Sequence, residues 1–214
     1  MDVRRIGLVF STCLMLLAGT TVSVAAAPPV ATCSATFFQG DRRLGPEVLP
    51  AHGEVGRELR GYQRTGSLTV QQFLATYWDP AANSGQGGFI FPPAFGYVIG
   101  ANGQPTVTEL TLHQGQHIDR FGSEFGAFLA PEGLAYAGRS IPPQSLDSVP
   151  PESCNYHEYK VVKAFSVDSG PIAPWFAQPG GGVQFQLVSS LVPGAPTPLN
   201  VMWLVNNGFM ERLA

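Results

Sequence analysis

The chain has 214 residues, and 12 Lys and Arg against 15 Asp and Glu give a formal net charge of −3 at pH 7. It carries no basic stripe and no cluster of Lys or Arg, so a nucleic-acid partner is not expected. The 25 Gly and 19 Pro are scattered along the chain, which predicts many loops and short strands.

The first residues have the pattern of a secretory signal peptide. Basic residues are followed by an apolar run from Ile6 to Leu17 and then by small residues up to Ala27. A membrane anchor is the weaker alternative, because the run is shorter than the ~20 residues that span a bilayer. We therefore expect residues 1–27 to be removed and the rest of the chain to be secreted, without further contact with the membrane.

Between residues 28 and 104 the sequence predicts loops and one helix. Thr69 and Gln72 have the spacing of a capping box, and apolar residues on one helical face follow them. We place the helix at 69–78, where an Asp-Pro pair ends it. Short strands are predicted at 89–91 and 95–99.

From residue 105 onward, alternating apolar and polar residues predict strands. The segments between them read as turns rather than long helices, and nothing resembles a βαβ unit. The pattern therefore indicates an all-β or α+β core with few helices. The predicted strands lie at 107–112, 156–167, 183–191 and 200–205.

Two cysteines remain once the signal peptide is removed, Cys33 and Cys154. In a secreted chain, two thiols most often form one disulfide bond. Closing so long a loop would stabilise the folded chain by about 4 kcal/mol. Two buried free thiols are the alternative.

Several catalytic and metal-binding signatures are absent from the sequence. It has no His-Glu-x-x-His, no Cys-x-x-Cys, no Gly-x-Ser-x-Gly and no phosphate-binding loop with a lysine. The 4 histidines are scattered, and His113 and His117 lie in a turn-like context rather than on one helical face. No metal site is predicted.

Five separated motifs carry a resemblance to a known family. They are DRFG at 119–122, FLAPEG at 128–133, RSIPP at 139–143, YHEY at 156–159 and GPIAPWFAQPGGGVQFQL at 170–187. Together they resemble the tuberculosis necrotizing toxin (TNT) family of NAD glycohydrolases. The segment GDRRLGP at 40–46 also resembles the secreted fungal branch of that family.

The resemblance implies an α+β fold in two parts. Residues 105–214 would form the catalytic domain, with a mixed or antiparallel sheet, and residues 28–104 a small N-terminal subdomain of helices and loops. The implied activity is hydrolysis of the nicotinamide–ribose bond of NAD, with NADP as a second candidate substrate and no required cofactor.

The resemblance also assigns roles to individual residues. Arg120 and Gln184 are the catalytic candidates, because a guanidinium can grip a pyrophosphate with paired hydrogen bonds and a carboxamide can orient ribose hydroxyls. The substrate-binding candidates are Phe121 and Trp175 as ring-stacking residues, Phe128 as a pocket aromatic, Arg139 as holder of the second phosphate, and His157 as a substrate contact or a brace for its strand.

These assignments have structural alternatives. Arg120 could instead pair with Asp119 or Glu132. Gln186 lies on the same strand face as Gln184, two residues along, and competes with it for the catalytic role. Core packing is the alternative for Trp175.

The activity has alternatives as well. An ADP-ribosyltransferase breaks the same bond, but its usual Glu-x-Glu pair is missing and Glu124 is the nearest single carboxylate. A catalytically silent NAD-binding exoprotein is the third class. Calcium binding, described for some fungal relatives, is not expected, because Glu211 is the single acidic residue near the C-terminus. A homodimer is compatible with the resemblance, and nothing in the sequence indicates an immunity protein.

Overall fold

The computed structural model describes residues 32–213, so the predicted signal peptide lies outside the described residues. In that range no helix is long and apolar enough to cross a lipid bilayer. The part before residue 105 is built from short elements joined by loops. These are α1 (Gly53–Glu58), α2 (Val70–Tyr77), β1 (Trp78–Asp79), α3 (Ala82–Gly85) and β2 (Gly88–Phe89).

The predicted capping box is present at the start of α2. The hydroxyl oxygen of Thr69 accepts a hydrogen bond from the backbone N–H of Gln72 at 3.2 Å, and the Gln72 side-chain oxygen accepts from the Thr69 N–H at 2.9 Å. Two otherwise unpaired N–H groups are satisfied in this way. The helix predicted at 69–78 is thereby confirmed.

The second part of the chain forms one antiparallel sheet. Within residues 32–213 the sheet has seven strands in the order β3-β7-β8-β5-β4-β6-β9. The chain therefore has an α+β fold with a β-rich core, as the sequence predicts. The elements are β3 (Thr108–Leu112), β4 (His117–Phe121), β5 (Phe128–Pro131), β6 (Tyr156–Val161), β7 (Phe165–Pro171), β8 (Val183–Gln186), α4 (Val201–Asn206) and β9 (Met210–Arg212).

Burial of one strand face explains why this segment forms a sheet. In β7 the side chains of Phe165 and Val167 are buried, whereas Ser166 and Asp168 between them are half-buried. This alternation places apolar residues on the face that α4 covers. The resulting core includes Leu112, Ile118, Leu129, Tyr159, Val161, Phe165, Val167, Phe185 and Leu204.

Several segments differ from the predicted strands. The strand predicted at 183–191 ends at Gln186, and a 3₁₀ turn follows at Ser189–Leu191. The run 156–167 is two strands, β6 and β7, separated by a turn. The run 200–205 is helix α4, because the Asn200 side chain caps it by accepting from the N–H of Trp203 at 2.9 Å. In place of a strand at 95–99, a 3₁₀ turn lies at Ala94–Gly96.

Two further apolar clusters join the N-terminal segment to the sheet domain. One surrounds Phe121 and Tyr136 and includes Leu59 of the N-terminal segment. The other packs Phe73 of α2 against Phe176, which follows β7. The boundary predicted at 104/105 stays a prediction, and the first strand of the large sheet begins at Thr108.

The predicted disulfide bond is confirmed. Cys33 and Cys154 are bonded, with their Cα atoms 5.3 Å apart and 121 positions between them in the sequence. Both are buried in the cluster around Phe121. The bond therefore ties the start of the described chain to the loop that precedes β6.

A buried ion network forms a second tie between α1 and the sheet. Arg139 donates to both carboxylate oxygens of Asp119 in β4, at 2.5 and 2.8 Å, and to Glu58 in α1 at 2.7 Å. The second carboxylate oxygen of Glu58 finds no partner in residues 32–213. Burial raises the pKa of Glu58 to about 8, because one guanidinium does not compensate two buried carboxylates.

Replacing both cysteines tests the contribution of the disulfide bond. We expect the double variant Cys33→Ser/Cys154→Ser to lose about 4 kcal/mol of unfolding free energy, since its unfolded chain is no longer cross-linked. Urea denaturation measures this loss. Reductant should destabilise the wild type and leave the double variant unchanged, and a loss below about 1 kcal/mol would contradict the expectation.

Glu58→Gln tests the ion network. The raised pKa means that the folded chain binds more protons than the unfolded chain between about pH 4.5 and 8. Glu58 therefore lowers the stability as the pH rises through that window, by at most about 1.4 kcal/mol per pH unit. Glutamine keeps an oxygen that accepts from Arg139 but does not titrate. We expect the variant to gain stability relative to the wild type as the pH rises.

Urea denaturation at pH 5 and pH 8 checks this expectation. Glu152→Gln, at an exposed site in the loop before β6, is the matched control and should show the same difference from wild type at both pH values. If Glu58→Gln also shows equal differences at the two pH values, Glu58 is not the group that takes up the proton.

Candidate active site

A large cavity lies between the N-terminal segment and the sheet. Its volume is about 1150 Å³. Trp78 and Phe95 contribute from the N-terminal side, and Arg120, Phe128 and Gln184 from β4, β5 and β8. Because β5 lies between β4 and β8, the backbones that carry Arg120 and Gln184 are two strand spacings apart, about 10 Å. The two catalytic candidates thus border one cavity.

Backbone carbonyl groups hold the guanidinium of Arg120. Its Nε donates to the oxygens of Gly122 at 3.1 Å and Ser123 at 2.8 Å, and one terminal nitrogen donates to Phe128 at 2.6 Å. The other terminal nitrogen, Nη2, has no acceptor within residues 32–213. It lies against Gly126, where a Cβ atom would stand 2.1 Å from it. Part of the donor fork is therefore free for a ligand.

The charge of Arg120 is not neutralised by a carboxylate. No ion pair to it occurs in the described part of the chain. The alternatives of pairing with Asp119 or Glu132 are therefore wrong: Asp119 bonds to Arg139, and Glu132 lies 3.0 Å from the ring of His117. Burial lowers the pKa of Arg120, but a guanidinium remains protonated at neutral pH. The cavity wall thus carries an unpaired positive charge.

The carboxamide of Gln184 is oriented by the N-terminal segment. Its nitrogen donates to the backbone oxygen of Phe95 at 2.8 Å. Gln184 lines the cavity, whereas its competitor Gln186 does not. The placement favours Gln184 over Gln186 as the residue that meets a ligand.

The two phenylalanines of the motifs have different environments. Phe128 is half-buried at the cavity wall. Phe121 also borders the cavity, but its ring is 5% exposed and packs at 4.9 Å against both Tyr136 and Tyr156. The Arg139 guanidinium lies 5.0 Å from the same ring. These neighbours surround Phe121, so it supports the wall rather than offering a face for stacking.

Arg139 is not free to hold a phosphate. Its guanidinium is bonded to Asp119, to Glu58 and, through Nε, to the backbone oxygen of Leu134 at 2.9 Å. Displacing these bonds would leave the buried carboxylate of Asp119 uncompensated, at a cost of about 3–5 kcal/mol. Arg139 therefore has a structural role, and its position does not support the predicted contact with the second phosphate.

Trp175 lies outside the cavity. Its indole N–H donates to the backbone oxygen of Ile90 at 2.7 Å, and its ring packs at 5.9 Å against Tyr77 of α2. These contacts fit the alternative role of Trp175, which is core packing. The predicted stacking role for Trp175 has no support in its position.

His157 also lies outside the large cavity. It is directly opposite Arg120 in the pairing of β4 with β6, and its ring nitrogen lies 3.3 Å from the side-chain oxygen of Asn155. Burial lowers the pKa of His157, so its neutral form is favoured. It borders a separate hollow of about 130 Å³, which supports the alternative that it braces the strand.

Aromatic residues of the N-terminal segment were not anticipated as cavity residues. Trp78, Phe89, Phe91 and Phe95 all line it, and Phe91 and Phe95 are 63% and 68% exposed. The one signal in the sequence is a run of phenylalanines among prolines and glycines at 89–96. The exposed rings offer apolar surfaces on which a planar group can stack.

The carboxylates of the described residues do not add charge to the cavity. Asp119 borders the cavity, but its charge is neutralised by the ion pair with Arg139. His117, Glu132 and Glu158 form the one group with metal-ligand character in residues 32–213. They lie outside the cavity, with Nδ1 of His117 3.0 Å from Glu132 and 3.4 Å from Glu158. An unpaired cation, a carboxamide and exposed aromatic rings therefore suit an anionic ligand that carries planar rings.

Comparisons with known proteins found relatives of this chain by sequence. Residues 111–213 match the family described as tuberculosis necrotizing toxin. A conidial surface nicotinamide adenine dinucleotide glycohydrolase of Aspergillus fumigatus is 44% identical over 181 residues, which cover 83% of this chain and 71% of the relative.

Two solved structures show a more distant likeness. Tuberculosis necrotizing toxin complexed with its immunity factor is 22% identical, with a TM-score of 0.47 over 67% of this chain and 71% of that one. Rhs1-CT in complex with its cognate immunity protein is 14% identical, with a TM-score of 0.33 over 52% and 80% of the two chains. The assignment therefore depends on the sequence matches.

Proposed function

The chain belongs to the tuberculosis necrotizing toxin family and is an NAD glycohydrolase, and we propose that it hydrolyses the nicotinamide–ribose bond of NAD in the cavity between Arg120 and Gln184. The observation that carries the site assignment is that an unpaired guanidinium and an oriented carboxamide border the same cavity. In this reaction water and NAD give nicotinamide, ADP-ribose and a proton.

The chemistry of the bond explains why so few polar groups suffice. Nicotinamide leaves a positively charged pyridinium as a neutral molecule, so no acid is needed to protonate it. Positive charge develops on the ribose in an oxocarbenium-like transition state. The site must hold the dinucleotide, tolerate that charge and admit water.

We assign the pyrophosphate of NAD to Arg120. A cation placed beside the ribose would oppose the charge that develops there, whereas the pyrophosphate is the anionic part of the substrate. The free Nη2 favours this role, and so does the lack of an ion pair between Arg120 and any carboxylate within residues 32–213. The three carbonyl contacts fix the fork before the substrate arrives, which limits the reorganisation on binding.

We assign the ribose to Gln184. With its nitrogen bonded to Phe95, the carboxamide has its oxygen left to accept from a ribose hydroxyl or to face the electron-poor carbon. An aimed dipole of this kind can contribute about 3 kcal/mol in a site that excludes water.

The aromatic walls are assigned to the rings of the substrate. Stacking on the cationic nicotinamide is favourable, but it weakens as charge leaves the ring. It therefore positions the substrate more than it accelerates cleavage. Phe128 and the exposed Phe91 and Phe95 are better placed for this than Phe121 or Trp175.

The position of Glu124 argues against the transferase alternative. Both of its oxygens accept from Arg212, at 2.7 and 2.6 Å, and the hydroxyl of Tyr159 donates to it at 2.8 Å. Hydrogen bonds from Arg212 lower the pKa of Glu124. Its carboxylate is thus engaged away from the cavity, where it cannot activate an acceptor.

Secretion through residues 1–27, NADP as a second substrate, the lack of a cofactor and the homodimer remain proposals. The Aspergillus relative is a surface protein, which supports an extracellular or surface location for this chain. Chromatography of the products from NAD and NADP, with and without an added acceptor protein, identifies the substrates and separates hydrolysis from transfer.

Replacing the two catalytic candidates tests the site. We expect Arg120→Ala and Gln184→Ala each to lower turnover of NAD by at least about 100-fold, because each removes a preorganised polar contact. Release of nicotinamide measures the loss. Gln186→Ala, two residues along β8, and Arg60→Ala, at an exposed site, are controls that should keep wild-type activity. Near-normal activity of both cavity variants would refute the assignment.

Gly126→Ala tests the position of the guanidinium without changing its chemistry. The new methyl group would stand 2.1 Å from Nη2 of Arg120, so the guanidinium must move. A catalytic group misplaced by about 1 Å can cost about 100-fold in rate, and we expect a loss of at least about tenfold.

Gly138→Ala is the matched control for this variant. A Cβ atom there meets its nearest neighbour, Leu134, at 3.5 Å, which is an ordinary contact. Both variants should keep the wild-type melting temperature to within a few degrees. Full activity of Gly126→Ala would show that the observed position of Arg120 does not matter for turnover.

A further inference from the structure

The loop Pro92–Gly96 has an unusual backbone beside the cavity. Ala94 and Phe95 adopt φ values of 50° and 56°, in the left-handed region that favours glycine. Side-chain-bearing residues adopt this conformation at a cost, and the surrounding structure must hold them there. Such strain next to a reactive group is a reason to look for a function of the loop.

Bonds to the segment around Pro171 hold the loop in place. The backbone oxygen of Gly96 accepts from the N–H of Ala173 at 2.8 Å, and the N–H of Val98 donates to the oxygen of Pro171 at 2.9 Å. The hydroxyl of Tyr97 donates to the backbone oxygen of Asp168 at 3.1 Å. The loop is therefore fixed relative to β7 and, through it, to β8.

The contact between the loop and Gln184 sets the orientation of the carboxamide. The Phe95 oxygen 2.8 Å from the side chain can only accept a hydrogen bond, so the atom facing it is the nitrogen. The Tyr97 hydroxyl also lies close to the Gln184 side chain, but it donates to Asp168. In residues 32–213 no donor bonds to the amide oxygen of Gln184. The carbonyl of Phe95, a residue in the left-handed conformation, thus holds the nitrogen of Gln184, and the amide oxygen stays available.

We infer that Phe95 is a positioning residue for hydrolysis, which acts through its backbone carbonyl to keep the oxygen of the Gln184 carboxamide turned towards the ribose. The kinetic consequence depends on the proposed function. Without the bond the carboxamide can rotate and present its N–H groups, which would oppose the positive charge of the transition state. The ring of Phe95 is not part of this role.

Three substitutions separate the backbone from the ring. Phe95→Asn, Phe95→Ala and Phe95→Val all lack the ring, but they differ in tolerance of the left-handed conformation: Asn adopts it readily, Ala less so, and β-branched Val least. We expect kcat to fall in that order, with Val at least about fivefold below Asn. KM should agree within about twofold among the three, because they share the loss of the ring. Equal kcat values would overturn the inference.

Phe95→Asn and Phe95→Val, each combined with Gln184→Ala, test whether Phe95 acts through Gln184. In Gln184→Ala, exchanging Asn for Val at position 95 should change kcat by less than about twofold, because the group being positioned is gone. A difference as large as in the wild-type background would mean that the loop acts independently of Gln184, and would overturn the inference.

A nuclear magnetic resonance measurement needs no turnover. The side-chain NH₂ signals of Gln184 are assigned by their loss in Gln184→Ala. They should stay close to wild-type positions in Phe95→Asn and move in Phe95→Val. Unmoved signals in a folded Val variant would overturn the inference. If a thermal melt shows that Phe95→Val is unfolded, Phe95→Asn and Phe95→Ala are compared instead, by kcat and by the NH₂ signals of Gln184.

These readouts also separate the two hypotheses. A wild-type protein that releases no nicotinamide from NAD refutes the proposed function, and the NH₂ signals still decide whether Phe95 orients Gln184. An active wild type with equal variants refutes the inference and leaves the proposed function standing.

Discussion

The buried pair between Asp119 and Arg139 decides which arginine is free to bind an anion. Asp119 directly precedes Arg120 in the chain, yet its carboxylate bonds to Arg139 at 2.5 and 2.8 Å. Successive residues of a strand point to opposite sides, so the neighbours in sequence are not neighbours in space. The pairing neutralises Asp119 and leaves Arg120 held by carbonyl groups alone. The cavity has an unpaired cation because Asp119 pairs with Arg139 and not with Arg120.

The N-terminal segment forms one wall of the cavity. It supplies the exposed rings of Phe91 and Phe95 and the carbonyl that holds Gln184. The Cys33–Cys154 bond and the contact between Glu58 and Arg139 tie this segment to the sheet domain. A sheet domain without it would keep Arg120 and Gln184 but would lose one wall and the partner of the carboxamide. Stability and site geometry are therefore coupled through these ties.

Local patterns in the sequence were sufficient where neighbours in the chain decide the structure. The capping box predicts α2. The disulfide bond joins residues that are far apart in the chain, and the presence of two cysteines in a secreted chain predicted it. The run at 201–205 is apolar throughout and fits a strand or a helix, and the cap from Asn200 makes it a helix. The roles of Arg139 and Trp175 could not be derived, because their partners, Glu58 and Ile90, lie more than eighty positions away in the chain. The left-handed Phe95 has no sequence signal, since the bonds that hold its loop come from β7 and the residues that follow it, far along the chain.

The environment of Arg120 carries a cost that a substrate can relieve. A half-buried guanidinium without a carboxylate has lost hydration that three carbonyl oxygens replace only in part, as its lowered pKa reflects. Filling this place with a carboxylate of the chain would stabilise the folded protein and would also occupy the anion site. Under the proposed function, a pyrophosphate that completes the coordination of the fork would regain this free energy. Stability would then be given up locally so that binding of the dinucleotide, rather than folding, satisfies Arg120.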